Sequence, residues 1–192
     1  MEKIKLTTTL DLLRNYSACA PGYKLLIKHL GDDYDDNKPI NLLTILESNG
    51  AKHCIWAFRA VEQEFNIIKP VIVSVACDFA ASVLHIFEDR YSDDLSTRQA
   101  IEAARNWIEN QTHENAAAAK AAAKAAAPCA HCAHCASYAA AYAAYAAYVD
   151  DYADYAYAAS NSAFSASAAY SASAAYDERP KQAEIIKKHL TN

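Results

Sequence analysis

Residues 115–176 constrain the fold more than any other stretch of the chain. Half of them are alanine, none is glycine, and one is proline, Pro128. Alanine is the best helix former because its side chain loses no conformational entropy on folding and buries no polar group. The stretch therefore predicts a long helix that is broken or bent near Pro128, or two helices that meet there.

Between residues 138 and 155, six tyrosines recur at steps of three or four residues, which keeps them on one stripe of a helix. They are Tyr138, Tyr142, Tyr145, Tyr148, Tyr152 and Tyr155. Aromatic stripes at this spacing usually belong to a core. Tyrosine is also favoured at protein interfaces, so part of the stripe could instead face a partner. Tyr138, Tyr142 and Tyr145 are the candidates for such contacts.

The whole chain predicts an all-α, multi-helix bundle. Its 192 residues suit one domain, 1–192, made of a short-helix bundle (1–110), an alanine-rich helical region (112–176) and a final helix (181–190). No strand pattern of alternating apolar residues is present. Outside the alanine-rich region, the predicted helices are 11–16, 23–30, 41–47, 51–64, 70–91, 96–110 and 181–190.

Several residues mark the ends of these helices. Thr9 and Thr112 are suitable N-caps, and Gly31 is a suitable C-terminal stop. Ser96 with Gln99 three residues later forms a capping-box pattern. Pro70 suits the first turn of the most hydrophobic helix.

Charge and composition exclude some classes of function. The net charge of −5 argues against a nucleic-acid binder, which would show a basic stripe, and permits a basic protein partner. No apolar run reaches the roughly 18 residues of a membrane span, so no membrane association is predicted. The first residues are too polar for a signal peptide. We therefore expect a cytoplasmic protein whose six cysteines are mostly thiols.

The clearest charged segment is an acidic one. It comprises Asp32, Asp33, Tyr34, Asp35 and Asp36. Such a run is often only a solvated loop. Its functional interpretation is a docking surface for a basic protein toxin such as a nuclease, with the tyrosine as an anchor, because complementary charge accelerates encounter and selects partners.

Three segments carry a resemblance to a known family. They are PINLLTILESNG (39–50), ACDFAASVLHIFE (76–88) and RQAIEAARNWI (98–108). With the alanine-rich region that follows, they resemble the fifth numbered family of immunity proteins from bacterial polymorphic toxin systems, which has relatives in phage genomes. The resemblance covers residues 10–110 by motif and the remainder by composition. It implies an all-α protein that binds and neutralises a cognate toxin without catalysis.

The CAHCAHC insert departs from that family's pattern and suggests a metal site. Its candidate ligands are Cys129, His131, Cys132, His134 and Cys135. Thiolate and imidazole bind zinc in tetrahedral sites. One straight helix cannot surround an ion with four ligands, so a bend at Pro128 or a ligand such as His113 or Cys77 would be needed. Otherwise the cysteines pack in the core beside exposed histidines, or the cluster captures metal adventitiously during purification.

A second ligand alternative uses His85, Arg98 and Arg105. The arginines are seven residues apart, so both can face one partner. They could form ion pairs with Asp78 and Glu88 on a neighbouring helix, or they could bind an anion such as a nucleotide. No convincing catalytic constellation is present, and we predict no enzyme.

The sequence thus predicts a non-catalytic protein that neutralises a bacterial toxin by forming a tight complex. The alternative is a phage anti-defence protein, acting on a host defence protein or sequestering a nucleotide or metal ion. The one-sided aromatic ridge would also allow two copies to form a homodimer.

Overall fold

The structure is a computed structural model. It describes residues 5–126, 134–148, 158, 161–162, 164–165, 168 and 179–191. Helices dominate these residues, which confirms the all-α, multi-helix prediction. The helices are α1 (Leu10–Asn15), α2 (Ala20–Leu30), α3 (Leu42–Asn49), α4 (Ala51–Ala57), α5 (Phe65–Glu88), α6 (Ser96–Glu109), α7 (His113–Ala126), α8 (His134–Tyr148) and α9 (Arg179–Thr191).

A short antiparallel strand pair, which the sequence did not predict, ties the start of the chain to the segment before α3. Strand β1 (Thr7–Thr8) pairs with β2 (Ile40–Asn41), and the Leu42 N–H donates to the carbonyl oxygen of Leu6 at 3.0 Å. Strands of two residues are too short to display the alternation from which a strand is recognised.

Three of the predicted helix ends are confirmed. Thr9 Oγ1 accepts a hydrogen bond from the Leu12 N–H at 3.1 Å, and Thr112 Oγ1 accepts one from the Asn115 N–H at 3.2 Å. Gly31 follows α2 with a φ of 97°. That positive φ strains residues with a side chain and suits glycine.

Two predicted helix boundaries in the middle of the chain are wrong. Helix α4 ends at Ala57 and continues only as a 3₁₀ turn, Phe58–Ala60, rather than to residue 64. Helix α5 begins at Phe65, so Pro70 lies inside it. Proline there removes only one bond, to the carbonyl of the exposed Asn66, which water can satisfy.

The starts of α2 and α6 also differ from expectation. Pro21 lies in the first turn of α2, which therefore starts at Ala20 rather than after the Pro-Gly pair. Ser96 is the first residue of α6 rather than its cap, and its N–H donates to Asp94 Oδ1 at 2.9 Å. The predicted capping box is thus wrong: Leu95 is the N-cap residue and makes no side-chain cap bond, while the Asp94 carboxylate binds the N–H of the first helical residue.

The alanine-rich region is broken as predicted. Helices α7 and α8 are separate and pack against each other, which one straight helix would not allow. Helix α8 also packs against α5 and α6. Ala143, Ala144, Ala146 and Ala147 are all fully buried. Because a methyl side chain keeps helix axes close, α8 is surrounded by three neighbours and forms the centre of the bundle.

Helix α9 packs against α3, α4 and α5. It therefore connects the C-terminal end of the chain with three helices of the N-terminal short-helix bundle. Ile186 is completely buried and Leu190 nearly so. Both side chains therefore face the core.

Helix α5 is the one described helix whose length and apolar composition would suffice to cross a membrane. Lys69 and Asp78 divide its apolar sequence, which is why no uninterrupted run was found. More than half of its apolar window is buried here, and the core helix of a globular bundle meets the same criteria.

Candidate functional site

The acidic loop, residues 31–38, connects α2 to β2 and is the most concentrated negative surface among the described loops. Asp32, Asp33, Asp35 and Asp36 are all exposed, and Lys38 is the one cation within the loop. Four carboxylates against one ammonium leave the loop strongly negative. This charge would attract a basic surface on a partner.

Hydrogen bonds within the loop fix its conformation. The Tyr34 hydroxyl donates to the Pro39 carbonyl oxygen at 3.1 Å, and the Lys38 ammonium lies 5.1 Å from the centre of the Tyr34 ring. The Asn37 N–H donates to Asp35 Oδ1 at 2.8 Å. The tyrosine is half-buried. Its side chain therefore stabilises the loop, and only part of its ring is accessible to a partner.

Contacts with α1 anchor the far end of the loop. The Asp11 N–H donates to the Asp36 carbonyl oxygen at 3.1 Å, and the Asp36 carboxylate pairs with the Arg14 guanidinium. Hydrogen bonding to that carboxylate raises the pKa of Arg14. Both side chains are about half exposed, so the ion pair adds little stability and chiefly orients the loop.

The structure places two of the three candidate tyrosines at the edge of the core. Tyr142 and Tyr145 on α8 are half-buried, and Tyr145 packs against the core cluster. The side chain of Tyr138 lies outside the described residues. Partner binding by these tyrosines stays a prediction.

The ion pairs predicted for Arg98 and Arg105 are confirmed. Arg98 Nε and Nη2 donate to the two Glu88 carboxylate oxygens at 2.7 and 2.8 Å, and Arg105 Nη2 lies 3.3 Å from Asp78 Oδ1. A nucleotide would have to compete with these carboxylates. His85 is exposed on α5. Anion binding by His85, Arg98 and Arg105 stays a prediction.

Asp78 also binds the C-terminal helix, which the sequence did not predict. Lys188 Nζ lies 2.8 Å and His189 Nε2 lies 3.0 Å from Asp78 Oδ2. The hydrogen bond with His189, followed by that with Lys188, holds the pKa of Asp78 well below its usual value. One carboxylate thus connects α5, α6 and α9.

The predicted metal cluster falls outside what the structure describes. Cys129, His131 and Cys132 are not described, and the side chains of His134 and Cys135 are not described either. Within residues 5–126 and the later described segments, no group of three His, Cys, Asp or Glu residues is placed to hold a metal ion. The zinc hypothesis stays a prediction.

Buried cysteines elsewhere in the chain are poorly suited to ligand or nucleophile chemistry. Cys54 and Cys77 are both buried, and burial raises the pKa of each thiol to about 12. A thiol with so high a pKa is not a thiolate at neutral pH, and thiolate is the reactive and metal-binding form.

A pocket that the sequence did not predict lies among α1, α2, α3 and α4. We call it the α1–α4 pocket, and its volume is about 230 Å³. Its wall is mainly apolar and includes Leu13, Leu26, Ile45, Trp56 and Ala57. A pocket of this kind, with few polar groups, is the usual form of a small-molecule site.

The polar wall of this pocket is built around His53. Its Nδ1 lies 2.9 Å from the Asn49 carbonyl oxygen, which can only accept, so Nδ1 carries the proton. Asn49 Nδ2 in turn donates to the Gly22 carbonyl oxygen at 2.7 Å. Lys52 and Cys19, both exposed, complete this side. The four-residue spacing of Asn49 and His53 is the only local signal for this arrangement, and it is too common to be diagnostic.

Comparisons of the chain with protein-family models, curated proteins and solved structures found no match. The resemblance to the fifth family of immunity proteins therefore remains a prediction that rests on its three motifs and the alanine-rich region.

Proposed function

We propose that the chain is a non-catalytic binding protein that neutralises a cognate bacterial toxin by forming a tight complex with it. The observation that carries this proposal is the acidic loop, a negative surface whose backbone is held by hydrogen bonds before any partner arrives. A surface that is already ordered loses little conformational entropy on binding.

The partner that fits this loop is a basic protein, such as a toxin nuclease with a cationic substrate groove. Asp32, Asp33 and Asp35 are exposed, and no ion pair of theirs is seen among the described residues. They can therefore meet lysines or arginines of the partner directly. In the proposed complex the half-buried Tyr142 and Tyr145 are at most secondary contacts. A host defence protein with a basic surface would fit a phage-borne version of the same function.

The proposed interaction takes place in the cytoplasm and involves neither nucleic acid nor a membrane. The net charge of −5 repels the phosphate backbone of nucleic acids and favours a cationic protein. It also predicts that complex formation weakens as salt concentration rises, because exposed charges are screened.

The test is co-expression with basic toxins encoded next to this chain's gene, read out by growth and by co-purification. The unmodified chain should restore growth and form a stoichiometric complex. The triple variant Asp32→Asn, Asp33→Asn and Asp35→Asn should lower the association rate constant about tenfold or more, with a smaller difference at high salt.

A matched control removes the same number of charges elsewhere. Glu47, Glu102 and Glu109 are exposed on α3 and α6, and changing all three to glutamine should leave rescue intact. If both triple variants lost the same amount of binding and rescue, the effect would be due to net charge alone. That result would contradict a docking role for the loop. The absence of any complex would reject toxin neutralisation.

A further inference from the structure

We propose that the α1–α4 pocket binds a small aromatic carboxylic acid, with the ring in the apolar cavity and the carboxylate at Lys52. This site is separate from the acidic loop, and the inference does not depend on toxin binding. It follows from the size of the pocket, its lining and the sign of the charge on its wall.

The size of the pocket limits the ligand. Its volume is about 230 Å³, whereas a cavity of about 150 Å³ in another protein accommodates benzene. Scaling by volume gives room for about nine non-hydrogen atoms, the size of a phenyl ring with a short chain. A nucleotide is much too large to be enclosed.

The lining favours an aromatic body. Leu13, Leu26 and Ile45 supply aliphatic surface, and the rings of Tyr23 and Trp56 also line the pocket. Aromatic rings pair favourably in offset or edge-to-face arrangements, beyond the area that they bury. A phenyl group would therefore bind here better than a polar group of equal volume.

The charge at the wall selects an anion. None of the described residues that line the pocket is acidic, although the chain as a whole has a net charge of −5. Asn49 Nδ2 and His53 Nδ1 are already used by the carbonyl oxygens of Gly22 and Asn49. The exposed Lys52 is thus the cation on the wall that can meet a carboxylate, and an ammonium ligand would be repelled.

The experiment titrates the full chain with three probes of the same shape: 3-phenylpropanoate, 3-phenylpropanamide and 3-phenylpropylammonium. Binding is followed by the NMR shift of the Trp56 indole N–H, up to about 10 mM probe. The carboxylate should bind at least about fivefold more tightly than the amide, and the ammonium should bind least. Equal affinity for all three probes, or no saturable shift with the carboxylate, would overturn the proposal.

Two variants and a control locate the site. Lys52→Ala should weaken 3-phenylpropanoate binding about tenfold and leave binding of the amide unchanged. Ala18→Phe should fill the pocket and abolish binding of both, with folding checked by the thermal melt. Lys124→Ala removes a lysine of α7 that does not line the pocket and should change nothing. A loss of binding as large in Lys124→Ala as in Lys52→Ala would assign the effect to net charge and overturn the site.

Discussion

The imidazole of His53 lies directly against the backbone of Gly22. A Cβ atom at position 22 would lie 2.6 Å from Cδ2 and 2.9 Å from Nε2 of that ring, and 3.1 Å from the Cys19 sulfur. The backbone at Gly22 is helical and its φ is not positive. This glycine is therefore required by the close approach of α2 and α4 rather than by its conformational freedom.

The first prediction concerns Gly22→Ala. In an open helix this change would stabilise the fold by about 0.5–1 kcal/mol. Here the methyl group would push the His53 ring away from the Asn49 carbonyl oxygen and weaken the 2.9 Å hydrogen bond between them, which would cost about 1 kcal/mol. We expect Gly22→Ala to lower the free energy of unfolding by about 1 kcal/mol in urea denaturation.

A double-mutant cycle separates the steric cause from helix propensity. In a His53→Ala background the two closest contacts are gone and only the Cys19 sulfur at 3.1 Å remains, so Gly22→Ala should stabilise by up to about 0.5–1 kcal/mol. If Gly22→Ala stabilises the protein whether or not His53 is present, the close contact described here is wrong.

The second prediction concerns Asp78, whose carboxylate binds Arg105, Lys188 and His189. Asp78→Asn should lower the free energy of unfolding at neutral pH by about 1–3 kcal/mol, since hydrogen bonds to charged groups are involved. The pKa of Asp78 in the folded protein is depressed below its ordinary 3.8. Its stabilising contribution is therefore complete above that value and is lost as pH falls toward the folded pKa.

The stability gap between the unmodified chain and Asp78→Asn should accordingly be fully present at about pH 5 and close progressively in more acidic solution. Chemical denaturation at several pH values measures it. Asp93→Asn, in an exposed loop, serves as the control and should show no gap. If the difference in free energy of unfolding between the unmodified chain and Asp78→Asn instead grew as the pH fell, the predicted role of the Asp78 carboxylate would be wrong.

The third prediction concerns the alanine packing of α8. Ala144 is completely buried among neighbouring helices, so Ala144→Leu adds three carbons where there is no space. We expect destabilisation of about 1–3 kcal/mol from overpacking. Ala118→Leu on α7 makes the same chemical change at an exposed site and should stay within about 0.5 kcal/mol. Equal thermal melts for the two variants would show that α8 does not occupy the centre of the bundle.

Most of the features that depend on neighbouring residues in the sequence were predictable, as were the ion pairs of Arg98 and Arg105 between adjacent helices, whereas most features that depend on more distant contacts were not. The Thr9 cap and the Gly31 stop act within one helical turn, and both were found from the sequence. Asp78 and Lys188 are 110 positions apart, so no local pattern could pair them.

The candidate sites follow the same division. The acidic loop is contiguous in sequence and was identified there, although its internal hydrogen bonds were not. The α1–α4 pocket is assembled from four helices whose relative positions no spacing rule supplies. Lys69 is a similar case, because its burial beside the Trp107 ring, at 4.7 Å from the ring centre, depends on how α5 packs on α6.

The fourth prediction concerns Asn41, which ends β2 and caps α3. Its Oδ1 accepts a hydrogen bond from the Leu43 N–H at 2.8 Å, and its backbone is paired with Thr7. Asn41→Ala removes the cap and should cost about 1 kcal/mol, whereas Asn41→Asp keeps an acceptor at the helix N-terminus and should retain most of the stability. Because β2 directly follows the acidic loop, losing the cap should also speed amide hydrogen exchange in residues 40–44. If the aspartate variant is as unstable as the alanine variant, the side chain does not act as a cap and the loop is held by other contacts.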